Sequence, residues 1–160
     1  MAAIRNLAEC AAEYMSRFAV IIRLPGMNRA HDRLWIWLGG TVMAHLAISF
    51  VHGAAHAQAQ VPMSLAANLF VFIVILAGPL IGLVLTLWSK RVGAWVIGIT
   101  MAASLVFGVA NHFVLATPDH VSHVDPHWRP LFAATALLLA ITEALGAALA
   151  IRALRERRLT

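Results

Sequence analysis

The chain has 160 residues, of which 61% are hydrophobic and only 12% charged, and its mean hydropathy is +0.81. Soluble domains lie nearer half apolar and a quarter charged, so the composition argues against an ordinary water-soluble globule. The net charge of +5 does not indicate nucleic acid, because the cations flank apolar blocks instead of gathering into one patch.

Residues 1–32 form the first segment. Ile4, Leu7, Ala11, Met15, Phe18 and Ile22 recur at helical spacing, and Arg5, Glu9, Glu13 and Arg17 share the opposite face. The charges interrupt any apolar core of a cleavable signal. The pattern predicts an amphipathic helix lying on the cytoplasmic leaflet, or packed on a partner subunit. Pro25 and Gly26 break it before the first apolar block. Cys10 is the only cysteine, so no intrachain disulfide forms.

Four apolar blocks follow, at 34–57, 65–88, 92–116 and 131–151. Each approaches or exceeds the roughly 20 residues that cross a bilayer as a helix. The runs are continuous rather than alternating, which excludes a β-barrel pattern. The sequence therefore predicts an all-α integral membrane four-helix bundle at 33–155, with a short basic tail at 156–160. Arg5, Arg17, Arg23, Arg29, Arg33, Lys90, Arg91, Arg152, Arg155, Arg157 and Arg158 all fall on one side, and only Arg129 on the other. By the positive-inside bias both termini are cytoplasmic, and 58–64 and 117–130 face outward. The expected location is the cytoplasmic (inner) membrane of a bacterium. Trp35, Trp37, Trp88, Trp95 and Trp128 fall near the expected interfaces. The lipid bilayer is the expected partner, and small-residue helix faces suit a homo-oligomer or a larger membrane complex.

In the first span Thr41, His45, Ser49, His52 and His56 recur at three- and four-residue spacing, which stacks them on one helix face. The second span has no titratable residue; Gly78-Pro79 permits a kink, and Gly78 and Gly82 permit close helix approach. The three-residue turn 89–91 makes spans two and three antiparallel neighbours. The third span carries Thr100, Ser104, Gly108, Asn111 and His112 toward the same outer level. The 117–130 connection holds Asp119, His120, His123, Asp125 and His127. Thr117-Pro118 reads as an N-cap and first helical position, predicting a short helix to about Val124 with Asp119 favoured by its dipole. The fourth span contributes Glu143 at about the depth of His45. An ionisable group inside a membrane is costly and normally has a partner, so His45 and Glu143 are an expected buried polar pair. Its alternative is a neutral Glu143 bonded locally.

Neutral imidazole is the commonest ligand for zinc, copper, iron and nickel. His52, His56, His112, His120 and His123 are the candidate ligands, with Asp119 as a ligand or an acceptor that orients one. The bland alternative is a set of solvated loop histidines and hydrogen-bonded packing residues. Four functions fit: divalent-metal binding, sensing or transport; a redox protein with one haem b between two spans; a non-haem metal enzyme; and a non-catalytic accessory subunit. The run His52-x-x-x-His56 with His120-x-x-His123-x-x-x-His127 resembles, in spacing alone, the histidine boxes of membrane di-iron oxygenases and desaturases. The adjacent histidine pair of those boxes is absent here. The resemblance would imply a non-haem iron centre.

Overall fold

The computed structural model describes residues 29–156. The expected N-terminal amphipathic helix and nearly all of the basic tail lie outside the described residues. Of the segment 1–33, only the opening of the first helix is described. The described residues are helical, with no strand among them, and four helices are long and apolar enough to cross a membrane. They are α1 (Arg29–Gln58), α2 (Leu65–Leu85), α3 (Lys90–Val114) and α4 (Arg129–Glu156).

The buried face of α1 follows the 3.6-residue period: Leu34, Leu38, Val42, His45, Leu46, His52, Ala55 and His56. Its C-terminus closes in a Schellman arrangement. Gln60 takes φ +52°, its N–H donates to Ala57 O at 3.3 Å, and the Val61 N–H donates to His56 O at 3.2 Å. Ser64 then caps α2 by accepting the Ala67 N–H at 3.1 Å.

The expected kink in α2 takes the form of a π-helical turn, Val71–Ala77, immediately before Gly78-Pro79. Proline has no N–H and cannot close the bond to the carbonyl four residues back, which is that of Ile75. The His45 Nε2 of α1 lies 3.1 Å from Ile75 O and donates to it. A break in one helix is thus satisfied by the side chain of another.

The glycines of α2 bring it close to α3. A Cβ on Gly78 would lie 2.5 Å from Thr100 Cγ2, and one on Gly82 would lie 2.6 Å from Ile97 Cγ1. On α4 the buried positions Phe132, Thr135, Ala136, Leu139, Glu143, Gly146, Ala150 and Ala153 again keep helical spacing. Leu34 with Ala94 and Ala153, then Leu38, Val42 and Leu46 with Ile97, Met101 and Ala150, fill one half of the bundle with apolar side chains. At the other end Ala55, Val124 and Phe132 form a separate apolar cluster under Val61, Val121 and Trp128. The candidate site adjoins this second cluster, and Phe132 belongs to both. The outward faces carry Phe50, Phe72, Ile73, Leu87, Trp88 and Ile99, each more than half exposed.

The connection between α3 and α4 differs from expectation. No helix forms from Pro118 to Val124; the segment is a series of turns. Thr117 Oγ1 donates to Asn111 O at 3.1 Å instead of capping a helix. The Val121 N–H donates to His112 O at 3.0 Å, which ties the loop to α3. The Arg129 guanidinium donates to Ser122 O at 3.2 Å and to Val124 O at 3.0 Å. Carbonyls taken by a guanidinium hold these turns together in place of a helical ladder.

Gly82→Ala should destabilise the bundle by about 1–3 kcal/mol, the usual range for overpacking. Gly40→Ala, where a Cβ meets nothing within 4 Å, should be neutral or slightly stabilising. Thermal unfolding of both variants in one detergent checks this, and equal midpoints would contradict the packing.

Candidate metal centre

Four elements supply the site. α1 presents His52 and His56 one turn apart. The C-terminal end of α3 opens into a π-helical turn, Ala110–Val114, which carries His112. Such turns are frequent at functional sites. The Asn111 amide donates to Phe107 O at 2.9 Å within this widened stretch. The loop supplies Asp119, and α4 supplies Thr135 and Phe132.

His52, His56 and His112 are 7%, 8% and 7% exposed. Each offers one ring nitrogen, and the three nitrogens lie within 4.8 Å of one another. His52 Nε2 and His112 Nε2 are 3.2 Å apart. The rings meet edge to face, with centroids 4.9 Å apart for both the His52–His56 and the His52–His112 pair. Phe132 packs against all three rings at 4.7–5.2 Å.

The remaining nitrogens fix which atoms face inward. His112 Nδ1 lies 3.1 Å from Asp119 O and 3.4 Å from Asp119 Oδ2. Both oxygens only accept, so Nδ1 carries the hydrogen, and in the neutral ring Nε2 presents its lone pair. His52 Nδ1 lies 2.8 Å from Thr135 Oγ1, which is itself 2.8 Å from Leu131 O and 3.0 Å from Phe132 O. With the hydroxyl hydrogen on a carbonyl, Thr135 accepts from His52 Nδ1–H, and the His52 Nε2 lone pair also faces inward. The other tautomer would require Thr135 to turn its hydroxyl away from both carbonyls.

Asp119 is 9% exposed. Its Oδ1 lies 3.1 Å from His56 Nε2, yet the contact lacks hydrogen-bond alignment. Asp119 Oδ1 and His56 Nδ1 are both buried without a hydrogen-bond partner. Burial works against ionisation of Asp119. The hydrogen bond from His112 and the neighbouring His112, His56 and His52 outweigh it and hold the carboxyl below its usual range.

The structure brings together His52, His56, His112 and Asp119 from the expected set. His120 and His123 are not part of this group and bond within the loop instead. His120 Nδ1 pairs with Ser122 Oγ at 2.7 Å, and His123 Nδ1 donates to Thr117 O at 2.7 Å. Their rings neighbour each other at 5.6 Å. His127 is exposed. Deeper in the bundle, His45 is fully buried and Glu143 is 3% exposed, with His45 Nδ1 3.9 Å from Glu143 Oε1. That separation is too long for a direct hydrogen bond, and His45 Nδ1 has no hydrogen-bond partner. Gly108 stands between the two levels: a Cβ there would be 3.9 Å from both Glu143 Oε2 and His112 Cδ2.

Thr135 was not among the sequence candidates. The available signal was a hydroxyl on the buried face of α4, one turn from Phe132 and among Ala and Leu. Comparison with known protein families, with curated proteins and with solved structures finds no match for the chain.

Proposed function

We propose that this chain is an integral membrane protein that binds one divalent transition-metal ion through His52, His56 and His112, with Asp119 as a fourth ligand or as the acceptor that orients His112. The observation that carries the reading is the His52–His112 contact. With both rings neutral, two inward lone pairs 3.2 Å apart repel each other until a metal ion, or a proton on one of the two nitrogens, lies between them. With metal–nitrogen bonds of 2.0–2.1 Å, two ligands of a tetrahedral ion stand roughly 3.3 Å apart. The third imidazole reaches the ion by a side-chain rotation. A carboxylate holding the Nδ1–H of a ligating imidazole is the usual outer support of such sites.

A bare ion fits better than haem. Rings in edge contact leave no plane between them for a macrocycle. Zinc suits the donor set, because three imidazoles and a carboxylate satisfy four-coordination without thiolate. Conduction along the bundle axis is disfavoured by the apolar layer of Leu38, Val42, Ile97, Met101 and Ala150, all fully buried. The site is thus read as one that binds, senses or acts at one face of the membrane.

Elemental analysis of detergent-purified protein should find one zinc or comparable ion per chain. His52→Ala with His56→Ala should lose it, a larger effect than the roughly 10–100-fold cost of altering outer support, while circular dichroism stays helical. His127→Ala should keep the ion. Stoichiometric metal in the double variant would remove these residues from the site.

The apolar outward faces and the division of eleven cations from Arg129 support a membrane-spanning chain with both ends cytoplasmic and the 117–130 loop outside. In a Cys10→Ser background, a membrane-impermeant maleimide applied to intact cells should label Ser122→Cys and spare Thr160→Cys. The reverse pattern would invert the topology.

A further inference from the structure

A cavity of about 750 Å³ adjoins the three histidines. Such a volume falls within the roughly 300–1,000 Å³ of small-molecule sites. His52, His56, His112 and Asp119 line it on the polar side, and Phe72, Leu76 and Phe107 are among its apolar walls. Two features of the sequence make the space. Gly53, Ala54 and Ala57 give α1 a low wall, and a Cβ on Gly53 would meet nothing within 4 Å. Opposite them, Val71 and Ile75 of the π-helical turn line the cavity where α2 departs from a regular helix.

We propose that this cavity binds a single-chain amphiphile with a carboxylate head, the head placed on the metal and the hydrocarbon chain held between α1 and α2. The proposal rests on the metal reading above. Access is from the side: Phe50 and Phe72, both lining the cavity, are 70% and 63% exposed on faces that would meet lipid. A ligand arriving by that route carries a chain that the apolar walls can cover.

Charge selects the head. A divalent ion with three neutral imidazoles and one carboxylate retains a single positive charge. Asp119 is the only charged residue among the described lining residues. An uncompensated charge beside an apolar wall is costly, and one monoanionic oxygen head cancels it. Zinc-type ions accept such a ligand by filling an open position or expanding to five-coordination. The cavity therefore pairs a fixed oxygen-seeking centre with a hydrocarbon slot, which matches an amphiphile end to end.

The test uses cobalt-loaded full-length protein in detergent, because the visible spectrum of cobalt reports its ligands. Dodecanoate should change that spectrum at concentrations at least about 100-fold below acetate, because burial of its methylenes adds to binding beyond what the micelle recovers. Gly53→Trp, which fills the slot from the open side, should bring the two probes to within about threefold of each other, leaving cobalt binding and the acetate response in place. Both proteins share the same micelle, so the difference between them reports the cavity. Ala54→Leu, on the same wall, should give an intermediate loss if the tryptophan variant does not fold. A cobalt spectrum indifferent to dodecanoate, or equal preference in parent and slot variants, overturns the amphiphile proposal alone. Failure to bind cobalt overturns the metal site and this proposal with it.

Discussion

Two imidazoles are held so that their Nε2 nitrogens oppose each other. His112 gives its Nδ1–H to Asp119, and His52 gives its own to Thr135, so the Nε2 atoms meet at 3.2 Å in a buried space. Each ring is oriented by the hydrogen bond at its Nδ1. His112 is carried by the π-helical turn, and Asp119 by the loop whose carbonyls Arg129 binds. Phe132 fills the space behind all three rings, so the histidines cannot relax into the bundle.

The rest of the bundle separates polar from apolar along its length. One half is filled by Leu, Val, Ile and Met side chains, and the polar stripe of α1 runs from Thr41 toward its C-terminus. His45 belongs to that stripe and faces Glu143 of α4, and a Cβ on Gly108 would come within 3.9 Å of both Glu143 and His112. Burying two ionisable groups with no close hydrogen bond between them is expensive.

Much of this was legible in the sequence because helical periodicity is a strong signal. The five-residue stripe on α1 was readable from spacing alone, and four of its members, Thr41, His45, His52 and His56, are buried. The depth of His112 followed from the short 89–91 turn, which sets α3 antiparallel to α2. The 117–130 loop was harder. Asp119, His120 and His123 stand close together in sequence, and no period decides which of them turns inward. Asp119 was expected to favour a helix N-terminus. It is buried instead, because Val121 bonds to His112 and Arg129 collects the loop carbonyls. Those are contacts between distant elements, which residue types in a short window do not encode. The π-helical turns escaped for a related reason: Gly78-Pro79 signalled a break but not that His45 would satisfy it.

The most direct measurement is the nitrogen NMR spectrum of protein labelled at its imidazole nitrogens and loaded with the spin-active isotope of cadmium. The account predicts metal–nitrogen couplings at Nε2 of both His52 and His112, with the Nδ1 of each still protonated. Coupling at Nδ1 of either ring, or coupling confined to His120 and His123, would contradict it.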